Sequence, residues 1–223
     1  MTDTRRLRVL CLHGYGQNAK TFASKIGGFR RTVKDLLDIE YVDAPNIIPP
    51  LNQDKNGIEE DDRRAWWYST SDTTLAGLDL PHCVAAFEKS RNVVEETWIS
   101  RGPFDGIFGF SQGAMMAAFV LFLGADGKMQ SNFKFAVMAG GGESDSLRWD
   151  VVCKPGLITI PTLHIIGEND NIIPKEVSCR ALQYFQSPRV LFHPGGHYVP
   201  ASGSSKLECR KFFQEQLQKI HPS

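Results

Sequence analysis

The chain opens on a short apolar block, Leu7 to Leu12, broken only by Arg8. Apolar residues at successive positions predict a strand covered on both faces. From Thr21 to Leu37 the period changes. Phe22, Ile26, Phe29, Val33 and Leu36 recur at helical spacing along one side, with Gly27-Gly28 placed to interrupt or kink the helix. Ile39 to Val42 reads as a second strand, so the opening unit is β-α-β and its strands pair in parallel.

The pattern then lapses. Ala44 to Leu80 holds Pro45, Pro49 and Pro50, an acidic cluster at Glu59 to Asp62, and Arg63-Arg64-Ala65-Trp66-Trp67-Tyr68. A stretch this long without a period is more often functional or mobile than structural, and its acidic run is expected to be a solvated loop. Two adjacent tryptophans in a strand face opposite ways, so one of Trp66 and Trp67 is expected near a surface or pocket. Periodicity returns with a helix over Pro81 to Ile99, followed by Gly102-Pro103 and an apolar run from Phe104 to Phe108. Ala114 to Leu123 is small and apolar throughout, as a buried helix would be. Further strands are expected at Phe133 to Ala139, Thr162 to Ile166 and Arg189 to Phe192. Helices are expected from Pro174 to about Phe185 and from about Ser204 to Ile220. Six strands separated by helices predict a doubly wound, mainly parallel α/β sheet, with chemistry at the carboxyl ends of its strands. With 223 residues and no linker-like break, the chain is expected to form a single domain over 1–223.

Composition narrows the field. The 25 basic and 25 acidic side chains cancel and no basic stripe appears, which argues against a nucleic-acid partner. Cys11, Cys83, Cys153, Cys179 and Cys209 are odd in number, and none forms a C-x-x-C pair. A disulfide framework or zinc site is therefore not expected, and a reducing compartment is. No stretch reaches the ~18 apolar residues of a membrane span, and the polar start has no signal-peptide core. The cytosol is the expected location, with the nucleus as the alternative.

Candidate chemistry sits at the predicted strand ends. Gly109-Phe110-Ser111-Gln112-Gly113 lies between a strand and a helix, the setting of a nucleophile elbow. The competing reading is a glycine-rich turn whose serine only caps the helix. Gly167-Glu168-Asn169-Asp170 follows one later strand, and His193-Pro194-Gly195-Gly196-His197 follows the last. The order serine, acid, histidine matches that of α/β-hydrolases. A serine hydroxyl needs a neighbouring base, imidazole supplies one near neutral pH, and a carboxylate behind it fixes the tautomer. The catalytic candidates are Ser111, Asp170 and His197, with Glu168 as the alternative acid. His13 is expected to bond within its own loop, and His193 to lie at the edge of the last strand. Two N–H groups are needed for the oxyanion, one from Gln112 and one from Tyr15 in the Gly14-Tyr15-Gly16 turn. Phe110 and Tyr198 adjoin catalytic positions. With Trp66 and Trp67 they are the candidate substrate-binding residues. No metal cluster or phosphate loop appears, so no cofactor is expected.

Leu10-Cys11-Leu12-His13-Gly14-Tyr15-Gly16-Gln17, Arg64-Ala65-Trp66-Trp67, Gly102-Pro103-Phe104-Asp105-Gly106 running into the elbow, Gly167 to Pro174, and Gly195-Gly196-His197 together resemble the family of serine hydrolases. The resemblance covers nearly the whole chain. It implies an α/β-hydrolase fold without a large cap domain. It also implies carboxylesterase action, often on acyl esters, through Ser111, Asp170 and His197. The particular substrate does not carry over, and medium- to long-chain acyl esters are the expectation. An acyl thioesterase using the same triad is the alternative. A non-enzymatic binding protein on a hydrolase scaffold is the rival of another class.

Overall fold

Six of the apolar blocks become the strands of one sheet, seen in a computed structural model that describes residues 5–49, 62–69 and 79–222. They are β1 (Leu7–Leu12), β2 (Leu37–Val42), β5 (Gly106–Phe110), β6 (Phe135–Ala139), β7 (Thr162–Gly167) and β8 (Arg189–His193). The order across the sheet is β2-β1-β5-β6-β7-β8, and every pairing is parallel. The short strands β3 (Asn46–Ile47) and β4 (Arg64–Ala65) pair antiparallel with each other outside it. This is the α/β-hydrolase architecture, with no separate cap domain among the described residues.

The topology itself points to a site. From β1 the chain moves one way to β2; from β5 it moves the other way to β8. The direction of winding reverses between β1 and β5, and ligands in open parallel sheets bind outside the carboxyl ends of the strands at that reversal. The elbow follows β5, and the Gly14-Tyr15-Gly16 turn follows β1.

Each face of the sheet is covered, which is why its strands are apolar at successive positions. On β1, Leu10 and Leu12 face the layer built by α3 (Leu80–Arg101) and α4 (Gln112–Ala125). Leu7, Val9 and Cys11 face the layer of α1 (Ala19–Lys25), α2 (Gly27–Val33) and α7 (Gly203–Ile220). Helix α4 is buried from Gln112 through Leu123 and is apolar all round because it is covered all round. Its Phe119 meets Phe87 of α3 at 4.6 Å and Trp67 at 5.6 Å between ring centroids. Burying one such ring contributes about 1.5–3 kcal/mol.

The expected single helix over 21–37 is two helices, broken at Ile26 beside the glycine pair. The loop between β6 and β7 contains a one-turn helix, α5 (Trp149–Val152), that the pattern did not announce. The helix after Pro174 is α6 (Lys175–Ala181), closed by a 3₁₀ turn at Leu182–Tyr184. Of the acidic cluster, Glu59 to Asp61 lie outside the described residues; Asp62 is exposed and pairs with Arg64 at 2.7 Å. Among the described residues, no helix is long and apolar enough to cross a membrane.

The core also holds a titratable group with no catalytic placement. His164 on β7 packs edge-on against Phe185 at 4.6 Å, and burial pushes its pKa from 6.5 down to about 4. Between those values the unfolded chain takes up a proton that the folded chain refuses, so stability falls as pH drops from about 6.5 towards 4. The loss expected from this residue is roughly 3 kcal/mol. Denaturant unfolding at pH 7 and pH 4.5 should show a smaller pH-dependent loss for His164→Gln than for the parent; equal losses would contradict this source.

Candidate active site

The elbow is forced by two incompatible hydrogen-bond patterns meeting at one residue. The Ser111 N–H still donates along the sheet to the Ala139 carbonyl at 2.8 Å, while its own carbonyl already accepts from Ala114 N–H at 2.9 Å in the helix. The backbone reverses between them, leaving Ser111 at φ 54°, ψ −122°. A non-glycine residue held there carries strain of about 1–3 kcal/mol. The Ser111 side chain makes no capping bond to α4, so the capping explanation of this serine fails. The first turn of α4 lies against the end of β1. A methyl group at Gly113 would sit 2.3 Å from the Leu12 carbonyl oxygen and 2.5 Å from that of His13. This approach brings the β1 loop to the serine: a methyl at Gly14 would be 3.2 Å from Ser111 Cβ.

Asp170 and His197 arrive from β7 and β8. Their loops are stitched together, with Glu168 N–H donating to His193 O at 2.8 Å and Asn169 N–H to Gly195 O at 3.1 Å. The Asn169 amide also donates to Pro194 O at 2.7 Å. The Asp170 side chain is only 2% exposed, and its bonds account for that. Oδ1 accepts from Ile172 and Ile173 N–H, each at 2.9 Å, and Oδ2 meets His197 Nδ1 at 2.6 Å. A carboxylate at Nδ1 assigns the proton to that nitrogen and leaves the Nε2 lone pair for a substrate-side proton. The imidazole packs against Phe110 at 4.8 Å and lies over Gly140. Glu168 turns away, 48% exposed and 3.8 Å from Lys175.

The other histidines have other partners. His13 is fully buried, with Nδ1–H donating to the Gly14 carbonyl at 2.8 Å and Nε2 accepting from Ala44 N–H at 3.0 Å. Burial lowers its pKa, so it is a neutral structural imidazole. His193 is buried beneath the Tyr198 ring at 4.9 Å, and burial lowers its pKa too.

Two of the four substrate-binding candidates, Trp66 and Trp67, lie in a setting other than the surface the sequence led us to expect. Trp66 and Trp67 are 0% and 1% exposed, so neither lies at a surface. They sit in a bend after β4, not in a strand, so alternation does not apply: Trp66 leans on His13 at 5.3 Å and Trp67 enters the α3–α4 layer. Phe110 is buried between Phe22 and His197 and supports the imidazole. Tyr198 remains exposed, with its phenol over Gly195 and its ring on His193. The side chain of Gln112 has a role that sequence spacing could not show. Its Oε1 accepts from Trp66 N–H at 2.9 Å and its Nε2 donates to Trp67 O at 2.7 Å, pinning the irregular segment to the elbow. Among the described residues, no group of three or more His, Cys, Asp or Glu side chains gathers as a metal site.

Known proteins repeat this arrangement of sequence and fold. Residues 1–208 match the family described as Serine hydrolase (FSH1). The chain belongs to that family. An esterase of Aedes aegypti is 40% identical over 96% of this chain and 77% of its own length. Esterase OVCA2 of Danio rerio is 34% identical over 93% of this chain and 96% of its own. Among solved structures, Zea mays acyl-protein thioesterase 2 superposes with a TM-score of 0.63 at 19% identity, covering 97% of this chain and 96% of that one. That last likeness is one of fold.

Gly140 was not marked by sequence spacing, yet it forms the floor beneath the imidazole. It has φ 57°, and a methyl there would lie 3.0 Å from both Cε1 and Nδ1 of His197. Gly140→Ala should therefore displace His197 and lower kcat by about 10²-fold, while the protein still folds. A kcat within twofold of the parent would show that the ring is not held this way.

Proposed function

We propose that this chain is a serine carboxylesterase that hydrolyses medium- to long-chain acyl esters through an acyl-enzyme. The observation that carries the reading is the buried 2.6 Å Asp170–His197 pair, set over Gly140, whose neighbour Ala139 accepts the N–H of the strained Ser111 at 2.8 Å. Membership of the serine hydrolase family and the esterase names of relatives at 34–40% identity support it.

Ser111 Oγ attacks the ester carbonyl carbon, and its proton passes to His197 Nε2. The carbonyl oxygen becomes an oxyanion held by the N–H groups of Tyr15 and Gln112. As the tetrahedral adduct collapses, the imidazolium returns that proton to the departing alkoxide, releasing the alcohol and leaving an acyl ester on Ser111. Water then gives its proton to His197 and adds to the acyl carbon. Collapse of the second adduct releases the carboxylic acid and returns the proton to Ser111. Asp170 stays ionised and stabilises the imidazolium. The site needs no cofactor for these steps. The five unpaired cysteines fit a reducing compartment, and we place the enzyme in the cytosol.

Ser111→Ala should abolish covalent labelling by a fluorophosphonate probe and lower turnover of a nitrophenyl ester by several orders of magnitude. Undiminished labelling of that variant would overturn the nucleophile. For the acid, Asp170→Asn should lower kcat by about 10⁴-fold by spoiling the tautomer of His197. Glu168→Gln should stay near the parent rate; a larger loss there than at Asp170 would reassign the acid.

A further inference from the structure

Trp66 has its backbone N–H, its carbonyl and its indole N–H all engaged. Its backbone N–H donates to Gln112 Oε1 at 2.9 Å, and its carbonyl accepts from Ser90 Oγ at 2.6 Å and Asn46 Nδ2 at 3.2 Å. Its indole N–H donates to the His13 carbonyl at 2.8 Å, and its ring lies 5.3 Å from the imidazole of His13. His13 in turn directs its Nδ1–H at the Gly14 carbonyl at 2.8 Å, which also receives Gln17 N–H at 3.2 Å.

That last carbonyl belongs to the Gly14–Tyr15 peptide. A trans peptide is planar, so fixing the direction of its C=O fixes its N–H in the opposite direction. The N–H in question is that of Tyr15. A single chain of contacts thus runs from Gln112, whose backbone N–H opens α4, through Trp66 and His13 to the peptide that carries the second donor. Resting on the esterase reading above, we propose that Trp66 is a positioning residue that couples the two halves of the oxyanion hole. Its backbone is locked to the elbow by Gln112, and its indole holds His13, which aims the Tyr15 N–H. The two donors come from separate strand-end loops, after β1 and β5, and the brace adds to the Gly113 contact with the end of β1 in fixing their spacing. The full burial of both tryptophans, which removes them from the substrate surface, is what this role requires of Trp66.

The test uses Trp66→Phe, which keeps an aromatic ring and removes the N–H to the His13 carbonyl. Expected for the full chain is a fall in kcat of roughly 10–100-fold with KM within about twofold, since only the transition state carries the oxyanion. Affinity for an alkyl boronic acid, whose tetrahedral adduct mimics that oxyanion, should fall by the same factor as kcat/KM. Phe87→Leu is the packing control: it should lower the melting temperature without changing kcat. Should Trp66→Phe fail to fold, the His13 pair replaces it. His13→Leu should show the same losses, whereas His13→Asn, whose amide places an N–H near the Nδ1 position, should recover most of the rate. Wild-type kcat and boronate affinity in Trp66→Phe, or in His13→Leu, would overturn the proposal, as would an equal kcat loss in Phe87→Leu. A parent protein labelled at Ser111 by fluorophosphonate, with these variants unmoved, fails the brace alone; a parent that is not labelled fails the esterase reading itself.

Discussion

The close approach of the first turn of α4 to the carboxyl end of β1 is the constraint on which the site depends. It exists because position 113 has no side chain; a methyl there would fall 2.3 Å from a backbone oxygen. The approach has two consequences. It bends the backbone sharply at Ser111, storing strain in the one residue that strand and helix hydrogen bonding both claim. It also sets the β1 loop against that serine, at the place where the winding of the sheet reverses. The proposed nucleophile and the proposed oxyanion donors thus come from one packing contact.

Asp170 and His197, the proposed acid and base, are held by a different device. β7 and β8 pair in parallel, and the chain continues that pairing past the strand ends through Glu168 and Asn169. Two loops that would otherwise move independently become one unit. Within it the Asp170 carboxylate is saturated by two backbone N–H groups and one imidazole, and that satisfaction is what lets it stay buried. The sheet carries both devices, with Ser111 after β5, Asp170 after β7 and His197 after β8, and Gly140 at the end of β6 leaves room for the ring.

The large features were legible because they follow from short-range rules. Strands buried on both faces must be apolar at successive positions, so β1 and β7 read directly from Leu7–Leu12 and Thr162–Ile166. The glycine pair at 27–28 announced the break between α1 and α2. Asp170 and His197 were readable because each ends a strand in a loop able to turn inward, and the structure joins them. What stayed hidden depends on partners distant in the chain. Nothing in the spacing says that Gln112 will bond residues 66 and 67, or that Gly140 will lie beneath a ring at 197. The tryptophan expectation failed for a related reason: it assumed strand alternation at residues whose backbone bends, and whose directions are set by His13, Phe87 and Phe119 instead.

The central claim is that Ser111, His197 and the two loop N–H groups form one catalytic arrangement. A crystal structure of the protein after reaction with an alkyl phosphonate tests it most directly. The account predicts a covalent bond from phosphorus to Ser111 Oγ, with the phosphoryl oxygen about 2.7–3.1 Å from the N–H groups of Tyr15 and Gln112. It also predicts that His197 keeps its bond to Asp170. An adduct on another residue, or a phosphoryl oxygen turned away from those two N–H groups, would contradict it.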